Sequence, residues 1–255
     1  ELLAHNPQTS AGGQLSWDLN LGLPEQLGQA SLLTSSFALQ WLKNPPAQVQ
    51  HWCEQLRPGG WLGLAVPTSA SFPQWHQAAL KAKRQRAYDD FIAVGEDLVR
   101  RRVTAPRHLG IQGGGNGGLL VGAVFTQRPD LFNAVVCQVP LLDMRRYHTL
   151  LAGASWMGEY GNPDVPAEWD YISRYSPYQN VKPGVKYPRV LFTTSTRDDR
   201  VHPAHARKMV ARMLEQGHDV LYYENIEGGH GGAANNRQSA YMNALAYAFL
   251  LKQLR

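Results

Sequence analysis

Cysteine is scarce. A chain of 255 residues has two, Cys53 and Cys137, too few for a disulfide framework and without the spacing of a metal site. Cys137 lies in Ala134–Val139, AVVCQV, a buried-strand pattern, so it reads as a core thiol. Charge is also thin, at 18% of residues with a formal excess of +5 and a pI near 9.3. The excess is spread out, and its densest run, Lys81–Arg86, KAKRQR, reads as a solvated helix face or linker. No nucleic-acid partner is expected. There is no apolar run of membrane length and no signal-peptide pattern, so no membrane partner is expected and the chain reads as soluble and cytoplasmic. It begins at Glu1 rather than at a methionine, which reads as a trimmed or partial chain. His202, His205 and His218 lack the spacing of a known zinc site and read as solvated helix residues. Neither a metal nor a cofactor is expected.

The apolar content, by contrast, is ample. At 44% of 255 residues it builds a sizeable core, in one large domain or two small ones. Ala30–Phe37 and Trp61–Val66 read as strands, Ala38–Leu42 opens a helical pattern, and Gln48–Leu56 reads as a helix that stops before Arg57-Pro58-Gly59-Gly60. From about Ala79 to Arg86 small and basic residues take over, and a junction is expected at 81–87. Beyond it Tyr88–Arg102 is an amphipathic helix, with acids in its first turn and arginines in its last. Strands at His108–Gln112, Ala134–Val139, Tyr187–Thr194 and Asp219–Glu224 alternate with helices at Gly117–Gln127, His202–Gln216 and Arg237–Leu254. That alternation predicts an α/β fold, a mostly parallel sheet with helices on both faces.

Chemistry enters at Ile111–Leu120, IQGGGNGGLL. A nucleophile elbow, G-x-S-x-G, is a strained strand-to-helix turn with small residues on both sides of its serine. Gly113, Gly115 and Gly117 occupy the first glycine, the nucleophile and the second glycine positions. Thr196–Val201, TRDDRV, follows one predicted strand, and Glu227–Gly232, EGGHGG, follows the next. Elbow, aspartate, histidine is the chain order of α/β-hydrolases. The pattern predicts a tight turn over Gly113–Gly118 with positive φ at Gly115, and His230 within hydrogen-bonding reach of Asp198.

From about Tyr88 onward the chain resembles the C-terminal part of the prolyl oligopeptidase family of serine peptidases. The resemblance is carried by IQGGGNGGLL, PDLFNAVVCQVPLLDM, TSTRDDRVHP and EGGHGG. It implies Asp198 as triad acid, His230 as general base and the backbone N–H of Asn116 as an oxyanion donor. It also implies Arg200 as the holder of a substrate carbonyl, Trp156 as the ring that stacks on a P1 proline, and a small ester or short peptide as substrate.

Two departures accompany it. Gly115 stands where the family has serine, which closes the covalent route and predicts a hydrolase that is inactive or weakly active as written. The N-terminal part of the hydrolase domain, with an oxyanion tyrosine and a preceding propeller, is not found in Glu1 to about Ala79, so the hydrolase-like fold reads as incomplete on that side. Instead, SSFALQWL and LRPGGWLGLAVPTSASFPQWHQAA resemble the middle of the malonyl-acyl-carrier-protein methyltransferases of biotin synthesis. The division expected is therefore 1–80 methyltransferase-like, 81–87 junction and 88–255 hydrolase, a chimeric chain. In this reading the first two strands extend the hydrolase sheet over its exposed edge, and a homodimer through that edge is the competing way to protect it. A non-catalytic binding or structural protein is the rival function.

Overall fold

The computed structural model describes residues 30–36, 45–65 and 77–255. The chain divides into two compact units, Glu1–Ser71 and Phe72–Arg255. The expected helix at Ala38–Leu42, and the end residues Phe37 and Val66 of the two expected strands, lie outside the described residues.

In the first unit, β1 (Ala30–Ser36) and β2 (Leu56–Ala65) pair in parallel, linked through α1 (Pro45–Glu54). The strand β2 starts earlier than expected, because the breaker residues are absorbed as a bulge. Pairing passes from Ala30 opposite Leu56 to Leu32 opposite Trp61, so the Arg57–Gly60 run is looped out of the ladder. Pro58 has no N–H to give a ladder, and a bulge accommodates it. These strands form a separate two-stranded sheet. That corrects the expectation that they extend the hydrolase sheet.

The second unit holds α2 (Gln85–Arg100), β3 (Gly110–Gly114), α3 (Asn116–Gln127), β4 (Ala134–Gln138), α4 (Met157–Tyr160), α5 (Pro166–Tyr175), α6 (Pro177–Asn180), β5 (Arg189–Ser195), α7 (Ala204–Glu215), β6 (Val220–Asn225) and α8 (Asn236–Gln253). Strands β3 to β6 form a four-stranded, fully parallel sheet in sequence order. The inner strands, AVVCQ and RVLFTTS, are buried almost throughout, as apolar parallel strands covered on both faces must be. Alternation along β3 separates the two faces. A side chain at Gly110 would meet Leu250 and Leu254, at the end of α8 and just beyond it, whereas one at Gly113 would meet Val121 of α3. Helices therefore cover both faces. On the α3 face Ile111, Val135, Cys137, Val190 and Phe192 join Leu119, Val121 and Phe125 in one core. Cys137 is fully buried, and burial pushes its thiol pKa well up.

Because all four strands are parallel, their C-terminal ends share one edge of the sheet. The segments that follow β3, β5 and β6 there are the three the sequence singles out.

Candidate active site

The turn between β3 and α3 has the expected form. Gly115 stands between the two elements with φ +60° and ψ −116°, in a region L-residues seldom occupy. Its N–H donates to the Gln138 carbonyl at 2.9 Å, and its own carbonyl accepts from Leu119 N–H at 3.1 Å, so the turn is pinned to β4 and to the first turn of α3. Gly113 is required by close approach: a Cβ there would lie 2.1 Å from the carbonyl oxygen of Gly117. Asn116 is the first residue of α3, and its backbone N–H has no partner from within the helix.

Asp198 follows β5 with its carboxylate out of solvent. Its Oδ1 accepts from the backbone N–H groups of Arg200 and Val201, each at 2.9 Å. His230 Nδ1 lies 2.9 Å from Asp198 Oδ2 and 3.1 Å from Oδ1. Burial opposes the charge on Asp198, but the bonds from His230, Arg200 and Val201 outweigh it and hold the carboxyl below the usual carboxylate range. The other ring nitrogen faces the turn. A Cβ built on Gly115 would stand 3.2 Å from His230 Nε2, so the ring must give by a few tenths of an ångström to admit a side chain. Beside them is a cavity of about 310 Å³ lined by Gly114, Gly115, Gln138, Thr193, His230 and Ser239, among others.

The structure thus brings Gly115, Asn116, Asp198 and His230 together. Arg200 has its backbone N–H on Asp198 and an exposed side chain. Trp156 is partly buried against the core and does not line the cavity. Two expectations change. Arg84, in the basic run, is buried rather than solvated, because acid and aromatic partners surround it. His205 is also buried, with Nδ1 accepting from the backbone N–H groups of Leu142 and Asp143, and desolvation lowers its pKa to about 4. Among the described residues no group of histidine, cysteine and acidic side chains is arranged to hold a metal, and no helix is long and apolar enough to cross a membrane.

Sequence reasoning missed four residues that shape the site. Ser195 Oγ and Asn225 Nδ2 both donate to the Gly232 carbonyl at 2.9 Å, anchoring the histidine loop. Arg84 and Tyr160 hold the side chain of Asn116. For Arg84 a signal was present, since it precedes Ala87 and Tyr88 by three and four residues and so shares their buried face. Nothing in the local pattern marks Ser195 or Asn225.

Comparison with known proteins gives the same direction. The prolyl oligopeptidase family matches residues 73–255. An uncharacterized peptidase of Sinorhizobium fredii is 56% identical over 182 residues, 71% of this chain and 25% of that protein. A second uncharacterized peptidase, of Rickettsia prowazekii, is 40% identical over 216 residues, 84% of this chain and 28% of its own length. Among solved structures, one from a study of two prolyl endopeptidases superposes with a TM-score of 0.73 at 37% identity, covering 89% of this chain and 34% of that one. A post-proline cleaving enzyme from Rickettsia typhi gives 0.72 at 36% identity, covering 91% and 35%. The chain spans only about a quarter to a third of the length of these relatives. The family match begins inside the second methyltransferase-like stretch, so its PQWHQAA end, from Pro73, belongs to the peptidase match.

Proposed function

The chain belongs to the prolyl oligopeptidase family, and from that premise we propose that residues 73–255 are the catalytic part of a serine hydrolase whose nucleophile position is held by Gly115. One observation carries the reading: His230 bridges the Asp198 carboxylate, at 2.9 Å, and the point where a side chain on Gly115 would begin, at 3.2 Å. In that arrangement Asp198 orients the imidazole and stabilises its protonated form, and His230 takes the proton of an attacking hydroxyl. The free N–H of Asn116 stabilises the developing oxyanion, Arg200 holds a substrate carbonyl and Trp156 supports a P1 proline ring. With glycine at 115 there is no hydroxyl to attack, so no acyl-enzyme forms. Loss of a nucleophile removes roughly 10⁶ of kcat in serine hydrolases and leaves a background of about 10³–10⁴ over water.

The substrate class is read from the family and from the oxyanion donors assigned among the described residues. Small activated esters are favoured over peptides, since Asn116 is the one oxyanion donor assigned among the described residues. A panel of chromogenic esters and proline-containing amides, run with the chain as it stands and with Gly115→Ser, tests this. The expected result is background turnover before the substitution and slow, ester-selective turnover after it. Efficient turnover by the unsubstituted chain that His230→Ala abolishes would replace this reading with hydrolysis by an activated water. The non-catalytic alternative predicts no gain from serine at all. The methyltransferase-like, chimeric reading of 1–80 rests on two motif stretches alone, the second of which runs into the peptidase match, and it is set aside unless the chain binds S-adenosylmethionine.

A further inference from the structure

Arg84 stands just ahead of α2 and is 2% exposed. Each nitrogen of its guanidinium has a partner. Nη2 donates to Asn116 Oδ1 at 2.6 Å, Nη1 pairs with Glu159 Oε1 at 2.5 Å, and Nε reaches Tyr88 Oη at 3.4 Å. The ring of Tyr160 lies 5.0 Å from Cζ, and its hydroxyl donates to the same Asn116 Oδ1 at 2.7 Å. The carboxamide oxygen of Asn116 therefore has both lone-pair directions filled, one by a charged donor. Burying a charge is costly unless its partners are well placed, and a fork of fixed geometry suits several acceptors better than an ammonium would. Three partners lie at positions that matter for the site. Asn116 immediately follows Gly115, and Glu159 and Tyr160 lie on α4, the short helix directly after Trp156.

We propose that Arg84 is a positioning residue. Acting through the Asn116 carboxamide, it fixes the peptide N–H of Asn116 at the oxyanion position, and through Glu159 it ties that peptide to the segment carrying Trp156. This rests on the hydrolase reading above. It differs from a merely structural role, in which Arg84 only fastens α2 to its neighbours and the turn at Gly115 is indifferent to it.

Two measurements test the proposal. Backbone amide exchange on the unsubstituted chain needs no activity. The amides of Gly115 and Leu119 are bonded to the carbonyls of Gln138 and Gly115, so they report the turn directly. Arg84→Met should speed their exchange at least severalfold while leaving Val135 and Leu191 in the inner strands unchanged. Arg84→Lys should give part of the effect. Tyr160→Phe deletes only the second donor and should give a smaller change of the same sign, which keeps the test open if Arg84→Met folds poorly. In the Gly115→Ser background, Arg84→Met should lower kcat for p-nitrophenyl acetate about tenfold with KM within about twofold, less than the roughly 10²–10³ of an outright lost oxyanion donor because the Asn116 N–H is displaced rather than removed. Unchanged exchange at Gly115 and Leu119 in all three variants would overturn the proposal. Altered exchange in a serine variant that stays inactive would leave the positioning contact standing and sink the hydrolase reading instead.

Discussion

Two segments meet at the candidate site, and they hold their shapes by different means. The turn at Gly113–Gly115 is held chiefly by backbone, through the bonds of Gly115 to β4 and α3 and the close approach of Gly113 to Gly117, with the side chain of the next residue, Asn116, tied by Arg84 and Tyr160. The histidine loop is held by side chains: Asp198 on His230, with Ser195 and Asn225 on the Gly232 carbonyl. The nucleophile position contributes no side chain to either scaffold. The form of the site therefore does not depend on a side chain at position 115, and the Asp198–His230 pair is by itself no measure of catalysis.

If the turn is a backbone device, adding a Cβ where backbone meets backbone should have the largest effect. Gly113→Ala should cost about 3 kcal/mol or more, since overpacking against a main-chain carbonyl has no cheap relief. Denaturant unfolding with an unchanged m-value checks this. A loss below about 0.5 kcal/mol, within the range of ordinary surface substitutions, would show that the turn yields easily.

Acid should act on the body that supports both segments. His205 is neutral and buried, with a pKa of about 4 in the folded chain against an ordinary value near 6.5. Protonation therefore favours the unfolded chain. The associated stability is complete above about pH 6.5 and is lost as pH falls towards 4, by about 3 kcal/mol in all. Asp143 and Asp198, both held below the usual carboxylate range, add losses at still lower pH. A Tm series from pH 7.5 to 4.5 reads the histidine step, and His205→Gln, whose amide oxygen can accept the same two N–H groups, should flatten it. A slope unchanged in His205→Gln would assign the acid loss elsewhere.

The smallest effect is expected at Gly115 itself. Serine there brings a positive φ and a 3.2 Å contact with His230, and should cost about 1–2 kcal/mol. A melting curve showing the serine form more stable would mean that the turn is not strained as described.

Much of this was readable before the fold. Strands β3 to β6 and helices α3, α7 and α8 appear within about two residues of their expected bounds, because parallel, doubly covered strands leave an unbroken apolar signature; α1, α2 and β2 start three to five residues early, and α4 to α6, between β4 and β5, were not expected. The positive φ at Gly115 follows from a local glycine motif, and the Asp198–His230 pair, 32 residues apart, from the order of motifs that follow successive strands. What was not legible depends on distance in the chain. Arg84 and Glu159 are 75 residues apart, and a basic run gives no hint of a partner so remote. His205 sits in a helix whose buried residues include Met209 and Met213, and its burial follows from that face rather than from its polarity. The breakers at Pro58–Gly60 were read as the end of one element, yet a bulge keeps them inside β2.

The central proposal is that Asp198, His230 and Asn116 belong to a serine hydrolase site whose nucleophile position is held by Gly115. A fluorophosphonate probe tests it most directly, read by intact mass. The chain as it stands should take up no label, Gly115→Ser should gain one adduct, and Gly115→Ser with His230→Ala should lose it again. Labelling of the unsubstituted chain at another residue, or no labelling of a folded Gly115→Ser variant, would contradict the account.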